Sequence, residues 1–296
     1  MKMRTLGIIG WLLLALMLWG GDAKAASCFW VGGTATLDGS NFTSWATSTG
    51  GAGTGCPGAG QVPTSSDSMI FDASSGGGTV TVNTNISLGA TQSFTWGAFT
   101  GTISFATNNN TLSAGAFSGT GTGARSFNCG SGAFTITGTS GSVWSMATIT
   151  NLGTFSCAGN TITLSGTSVG ARTFSGGAQT YGTVVISNAS ANGFIIAVSE
   201  ANTFTNLTFT NVRRVQLTTV TQIISGALVF DGASTQQAIL TSNGNAAATL
   251  SVANATTLSW LLVQNITKAG AGTLTCTNCF DGGSNTSWTA ITQPSS

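Results

Sequence analysis

Histidine is absent from this 296-residue chain, and tyrosine occurs once, as Tyr181. The first absence removes the side chain most often used for proton transfer near neutral pH, and with it the commonest nitrogen ligand of metals. Charge is scarce as well, with Asp, Glu, Lys and Arg together making up 5% of the residues. Past residue 25 the cations are Arg125, Arg172, Arg213, Arg214 and Lys268, and the anions are Asp38, Asp67, Asp72, Glu200, Asp231 and Asp281. No basic stripe exists to neutralise phosphates, which excludes nucleic acid as a partner. The acids are too dispersed along the chain to suggest the pair of carboxylates, about 5 to 9.5 Å apart, that glycoside hydrolysis uses. Asp38-Gly39-Ser40-Asn41 and Asp281-Gly282-Gly283-Ser284-Asn285 each bring one carboxylate, far short of a calcium ligand set, and read as Asx turns. The glycine-rich runs lack the Gly-Lys-Ser/Thr ending of a phosphate-cradling loop. No cofactor and no metal are expected.

What the chain does contain is a repeat. Six triplets recur: Ile162-Thr163-Leu164, Val184-Val185-Ile186, Leu207-Thr208-Phe209, Leu228-Val229-Phe230, Leu250-Ser251-Val252 and Leu274-Thr275-Cys276. Their first residues lie 22, 23, 21, 22 and 24 apart. Apolar residues at positions one and three define the inward face of a strand. Two residues past each triplet stands Gly166, Asn188, Asn211, Gly232, Asn254 or Asn278, residue types that tolerate a left-handed turn. A strand and a turn once per coil predict an all-β fold, a single right-handed parallel β-helix with coils of about 22 residues. Asn188 and Asn211 occupy matching stations and are expected to stack as an amide ladder. The interval from Ile103 to Ile136 is longer than one coil, which predicts an insertion looping out within the glycine-rich run 115–132. The pentapeptides Gly123-Ala124-Arg125-Ser126-Phe127 and Gly170-Ala171-Arg172-Thr173-Phe174, offset by 47, are expected two coils apart.

The ends are distinct. Lys2 and Arg4 precede an apolar run, Leu6 to Trp19, and then Ala23-Lys24-Ala25. That run is shorter than the about 20 residues a membrane span needs, so 1–25 reads as a cleaved signal peptide, with no membrane span after its removal. A competing reading makes Cys28 a lipidated cysteine, against which Asp22 and Lys24 interrupt the approach to it. In an exported chain the six cysteines imply disulfides. Coil register pairs Cys129 with Cys157, the N-terminal cap pairs Cys28 with Cys56, and Cys276 then joins Cys279 across the last tight turn. Residues 26–75 form an N-terminal cap, 76–280 the solenoid, and 281–296 a C-terminal cap and tail. One device recurs at both ends, as Asp38-Gly39-Ser40-Asn41-Phe42-Thr43-Ser44-Trp45 and Asp281-Gly282-Gly283-Ser284-Asn285-Thr286-Ser287-Trp288. It would cover strand edges that otherwise allow self-association.

Trp30-Val31-Gly32-Gly33, Trp45, Gly50-Gly51, Pro63-Thr64, Asp67 and Phe71-Asp72 resemble the opening of secreted β-solenoid surface proteins encoded by bacteria and phages, autotransporter-passenger-like. Cys279-Phe280 with the closing copy of the device is similar to the end of such proteins. No membrane-barrel strands follow, which departs from true autotransporters. The resemblance implies a secreted or cell-surface location, with the periplasm as an alternative, and brings no catalytic residues.

The functional expectation is a non-enzymatic structural or adhesive protein of a cell or virion surface, with a glycan or a surface protein as partner. Its rival is a polysaccharide lyase, hydrolase or tailspike-like depolymerase using Asp231 with Arg213 and Arg214. A third reading is an ice-binding solenoid with outward threonines. The tryptophans Trp30, Trp45, Trp96, Trp144, Trp260 and Trp288 are expected in core or caps rather than as sugar platforms.

Overall fold

Strands alternate apolar and hydroxyl residues, so one side of each strand buries while the other stays wet. The computed structural model describes residues 25–146, 151–167, 170–187, 195–233 and 235–294, leaving the expected signal segment and Asn188 with its ladder outside the described residues. The fold is all-β, with nearly every strand pair parallel, and the stacked sheets are consistent with a β-solenoid.

Three faces are built in rotation. The first is a 12-stranded sheet running from Ser27–Trp30 through Ser68–Ile70, Ser93–Thr95, Ala116–Ser118, Gly141–Ser145, Arg172–Ser175, Ile195–Ser199, Arg214–Leu217, Ala238–Ser242 and Leu261–Gln264 to Phe280–Asp281, with Trp45–Ala46 antiparallel at its start. The second face carries Ala35–Leu37, Thr79–Val82, Thr102–Ser104 and Arg125–Asn128, and later Thr221–Ile224, Ala248–Val252 and Ile266–Ala269. The third carries Ile86–Ser87, Leu112–Ala114, Phe134–Ile136 and Leu228–Phe230. The long strands Leu152–Leu164, Thr180–Ser187 and Thr203–Thr210 run through the corner and serve both faces, which merges them into one sheet. A separate three-stranded sheet, Thr256–Ser259, Leu274–Thr277 and Ala290–Ile291, closes the C-terminal end.

Register corrects several sequence expectations. Ile162, Val184, Leu207 and Leu228 stack in one column. Leu250, however, pairs with Gln222 on the second face, and Leu274 pairs with Thr256. Uneven coil length is the cause. The coil that brings Ile224 into register with Val252 is longer than the repeat read from the sequence, and the next, from Leu250 to Lys268, is shorter. A fixed count therefore slides onto another face. The predicted insertion is absent for the same reason. Ile103 lies on the second face and Ile136 on the third, while Ala116–Ser118 and Arg125–Asn128 are regular strands between them. The two pentapeptides also part, because Arg125 opens a second-face strand and Arg172 a first-face strand. Residues assigned to the cap already belong to the sheets: Cys28 is in register with Met69 and Leu37 with Val82.

Turns differ too. Asn211 and Asn278 are left-handed, with φ of 55° and 56°. Gly166, Gly232 and Asn254 are not among the left-handed residues. Their residue type answers crowding instead. A methyl at Gly166 would collide with the carbonyl oxygens of Thr137 and Gly138 in the neighbouring turn. Asn254 Nδ2 donates to Ser225 O at 3.2 Å and Gly226 O at 3.3 Å, tying adjacent turns.

Inside, the first half of the stack is aromatic. Phe94, Phe117, Trp144 and Phe174 succeed one another in register with rings stacked at 5.9, 4.1 and 5.9 Å. Trp30, Trp45 and Phe71 begin the column. Further along, aliphatic residues such as Val198, Leu217 and Leu240 replace the rings, all buried. Disulfides join Cys28 to Cys56, Cys129 to Cys157 and Cys276 to Cys279, with Cα separations of 5.5, 5.0 and 5.7 Å. The second of these follows from Asn128 standing in register with Ser156.

Two predictions come from this packing. Leu207 is fully buried between Val184 and Leu228, so Leu207→Ala should cost about 3 kcal/mol in urea unfolding, while Thr208→Ala should stay within about 0.5 kcal/mol. Loop-closure entropy ranks the bridges: replacing both Cys129 and Cys157, 28 apart, with Ala should cost more than replacing Cys276 and Cys279, 3 apart. The expected terms are about 3.5 and about 2 kcal/mol, read from denaturation midpoints at equal slope.

Candidate functional surface

Hydrolytic chemistry would rest on carboxylates, and each of the six described here accepts a hydrogen bond from a main-chain N–H. Asp38 takes Ser40 N–H at 2.9 Å, Asp72 takes Ser74 N–H at 2.8 Å, and Asp281 takes Gly283 N–H at 2.8 Å. Asp67 is buried and clasps the start of the first strand, accepting from Ala26 N–H at 3.1 Å and from Thr64 N–H and Oγ1 at 2.9 and 2.7 Å. Glu200 accepts from Gly177 N–H at 3.3 Å and from Ser199 Oγ at 2.8 Å. Asp231 accepts Asn211 N–H on both oxygens, at 2.8 and 3.0 Å, and so braces the left-handed turn of the preceding coil. These are turn clasps, spread singly along the chain. Among the described residues no cluster of three or more potential metal ligands occurs.

Of the depolymerase residues, Arg214 lies on the first face, in register with Ile195 and Ile239, and Arg213 O accepts Ile239 N–H at 2.9 Å. Asp231 follows the third-face strand Leu228–Phe230, and the hydrogen bonds of its carboxylate go to Asn211, two residues before Arg213. The other five described carboxylates serve turns elsewhere along the stack and do not join them.

The cations that sequence reading left aside are the buried ones. Arg125 reaches Gly119 O, Gly121 O at 3.0 Å and Gly123 O at 3.0 Å, with its guanidinium 5.0 Å from the Trp96 ring centre. Arg172 donates to Ser187 O at 2.8 Å and Gly138 O at 3.4 Å. Burial lowers the pKa of both, that of Arg172 to about 10. A guanidinium fork suits this use, since turn carbonyls inside a bend have no strand partner. Asn202 and Gln222, both fully buried, do the same with amides: Asn202 Nδ2 donates to Ser199 O at 2.8 Å and to Gln222 Oε1 at 3.2 Å. Burial pushes the Tyr181 hydroxyl pKa upward, and that hydroxyl donates to Gly176 O at 2.7 Å. The repeated Gly-Ala-Arg pentapeptides mark Arg125 and Arg172 but not their burial, and Asn202 and Gln222 give no periodic signal.

The outer surface carries few rings and few charges. Trp30, Trp45, Trp96 and Trp144 are buried, and Trp288 Nε1 donates to Ile266 O at 3.0 Å, so these rings serve the core and cap. Trp260 is half-buried at a left-handed corner, with φ of 57°. Hydroxyls dominate instead. On the third face Ser87, Ser113, Thr135, Thr163, Val185, Thr208 and Val229 are successive partners in one outward column. On the second face Thr221, Thr249, Thr267 and Thr286 form another, closed by a Thr267–Thr286 hydroxyl contact of 2.8 Å. A shallow groove of about 480 Å³ runs past Thr79, Thr102, Ser126 and Asn151 on the second face. The sequence triplets contain Thr163, Val185, Thr208 and Val229 but start at Ile162, after Ser87, Ser113 and Thr135 of the same column.

The chain matches no protein-family model, no curated protein and no solved structure. Three disulfides are those of a protein matured in an oxidising compartment, and no helix among the described residues is long and apolar enough to cross a membrane.

One prediction follows from the buried guanidinium. Arg125→Met should destabilise by about 3 kcal/mol in urea unfolding, because three turn carbonyls lose their donor. Arg125→Lys should recover only part of this, since one ammonium cannot reproduce the fork.

Proposed function

We propose that this protein is an exported, non-enzymatic β-helix of a cell or virion surface, structural or adhesive, which meets glycans or a partner protein through its hydroxyl-rich faces. We take the helix to be single and right-handed, its coil length most regular along the middle of the third face. The observation that carries the reading is the deployment of charge. All six described carboxylates brace turns through main-chain N–H groups, while the third face presents an uncharged hydroxyl and methyl column from Ser87 to Val229. Such a surface offers many weak, neutral hydrogen bonds to a hydroxylated ligand and little to an ionic one.

A glycan array probed with the disulfide-bonded protein tests this, followed by incubation with neutral and acidic polysaccharides. Binding without turnover is the expected result. Depolymerisation that Asp231→Asn abolishes would instead establish the enzyme reading. A second reading, ice binding, is favoured by the in-register columns, whose coils repeat at about 4.8 Å. It predicts thermal hysteresis that Thr163→Tyr, placed in mid-column, removes.

A further inference from the structure

The N-terminal cap adds a strand to the first face and a side-chain tie to the second, whereas on the third its residues 62–65 line the edge without pairing to it as a strand. Trp45–Ala46 pairs with Ser27–Trp30 on the first face, and Asn41 Nδ2 donates to Thr36 O beside the first strand of the second. On the third face the first strand, Ile86–Ser87, has a neighbour on one side only, Leu112–Ala114. Ile86 N–H donates to Thr111 O at 2.9 Å and Leu88 N–H to Ser113 O at 2.8 Å. Main-chain groups alternate sides along a strand, so the N–H and C=O of Ser87 turn the opposite way. There a cavity of about 260 Å³ opens, walled by Leu37, Trp45, Val62, Met69, Ile86 and Leu88. It is framed by Asn83 N–H to Leu37 O at 2.8 Å and Gly89 N–H to Ser65 O at 2.7 Å, which leaves a gap the length of a short strand.

The other end of the molecule supplies a segment of that kind. Ala290–Ile291 is the last strand of the closing sheet and pairs on one side only, with Leu274–Thr277. Its direction is parallel to its neighbour, as is that of Ile86–Ser87, and Ile291 is only half-buried. We propose that residues 290–292 of one copy add as a parallel strand beside Ile86–Ser87 of the next, with Ile291 entering the cavity. A second copy suits the site because unpaired strand edges seek strands and both edges run in one direction. Sparse charge, 5% of the residues, offers little repulsion between copies. A head-to-tail contact does not close on itself, so the product is an open filament.

Sedimentation velocity and negative-stain microscopy of the disulfide-bonded protein over a concentration series test this. Wild type is expected to form linear oligomers that lengthen with concentration. Ser87→Pro removes the N–H that faces the cavity and spares the bonds of Ile86 and Leu88, while Ile291→Asp places a charge in the docking strand. Each variant alone should remain monomeric with unchanged far-ultraviolet circular dichroism. An equimolar mixture should give dimers and nothing longer, since one variant keeps a working tail and the other a working cavity. A wild type that stays monomeric throughout, variants that assemble as the wild type does, or a mixture that gives no dimer would each overturn the proposal. Should Ser87→Pro fail to fold, Ile291→Asp decides alone, by assembling or not.

Discussion

Everything in this molecule depends on the parallel ladder that fixes each coil about 4.8 Å from the next. That spacing brings like side chains into contact, and the first-face column of Phe94, Phe117, Trp144 and Phe174 is the outcome. It also brings turns so close that side chains at several corners would strike a neighbouring carbonyl, which explains glycine at Gly166 and Gly232. Packing and turn composition are therefore one constraint seen from inside and from the corner.

The ladder satisfies strands but not bends. At each corner the chain leaves a few carbonyls and N–H groups without a strand partner, and buried ones are costly. The protein answers with its rare charged residues. Carboxylates of Asp67, Asp231 and Asp281 take N–H groups, and the guanidinium groups of Arg125 and Arg172 take carbonyls. Charge is thus spent on the main chain. What faces solvent is largely hydroxyl, amide and methyl.

How much of this was legible follows from what the ladder makes periodic. Inward apolar residues recur with the coil, so the column Ile162, Val184, Leu207 and Leu228 could be read directly. The three disulfide pairs named from the sequence are those the structure holds, and coil register accounts for Cys129–Cys157, where Asn128 stands beside Ser156. Coil length is not fixed by the ladder, since a corner absorbs extra residues without disturbing register. Leu250 consequently moved to another face, and the interval before Ile136 was mistaken for an insertion. Corner clasps depend on local backbone geometry: the shared pentapeptides of Arg125 and Arg172 do not show which carbonyls they reach, and Gln222 leaves no pattern in sequence.

The same logic bears on what the protein can do. A catalytic carboxylate must be placed by its neighbours yet left available to substrate, and here each described carboxylate is engaged by the turn it supports. Releasing one for chemistry would loosen a corner and, through the ladder, the coils on either side. A scaffold that commits its charges in this way carries a regular surface whose outward columns repeat at the spacing of the strands. A ligand of the proposed hydroxyl-rich columns would bind additively, each coil adding a similar weak contact, so avidity would grow with the number of coils engaged rather than with the strength of any one site.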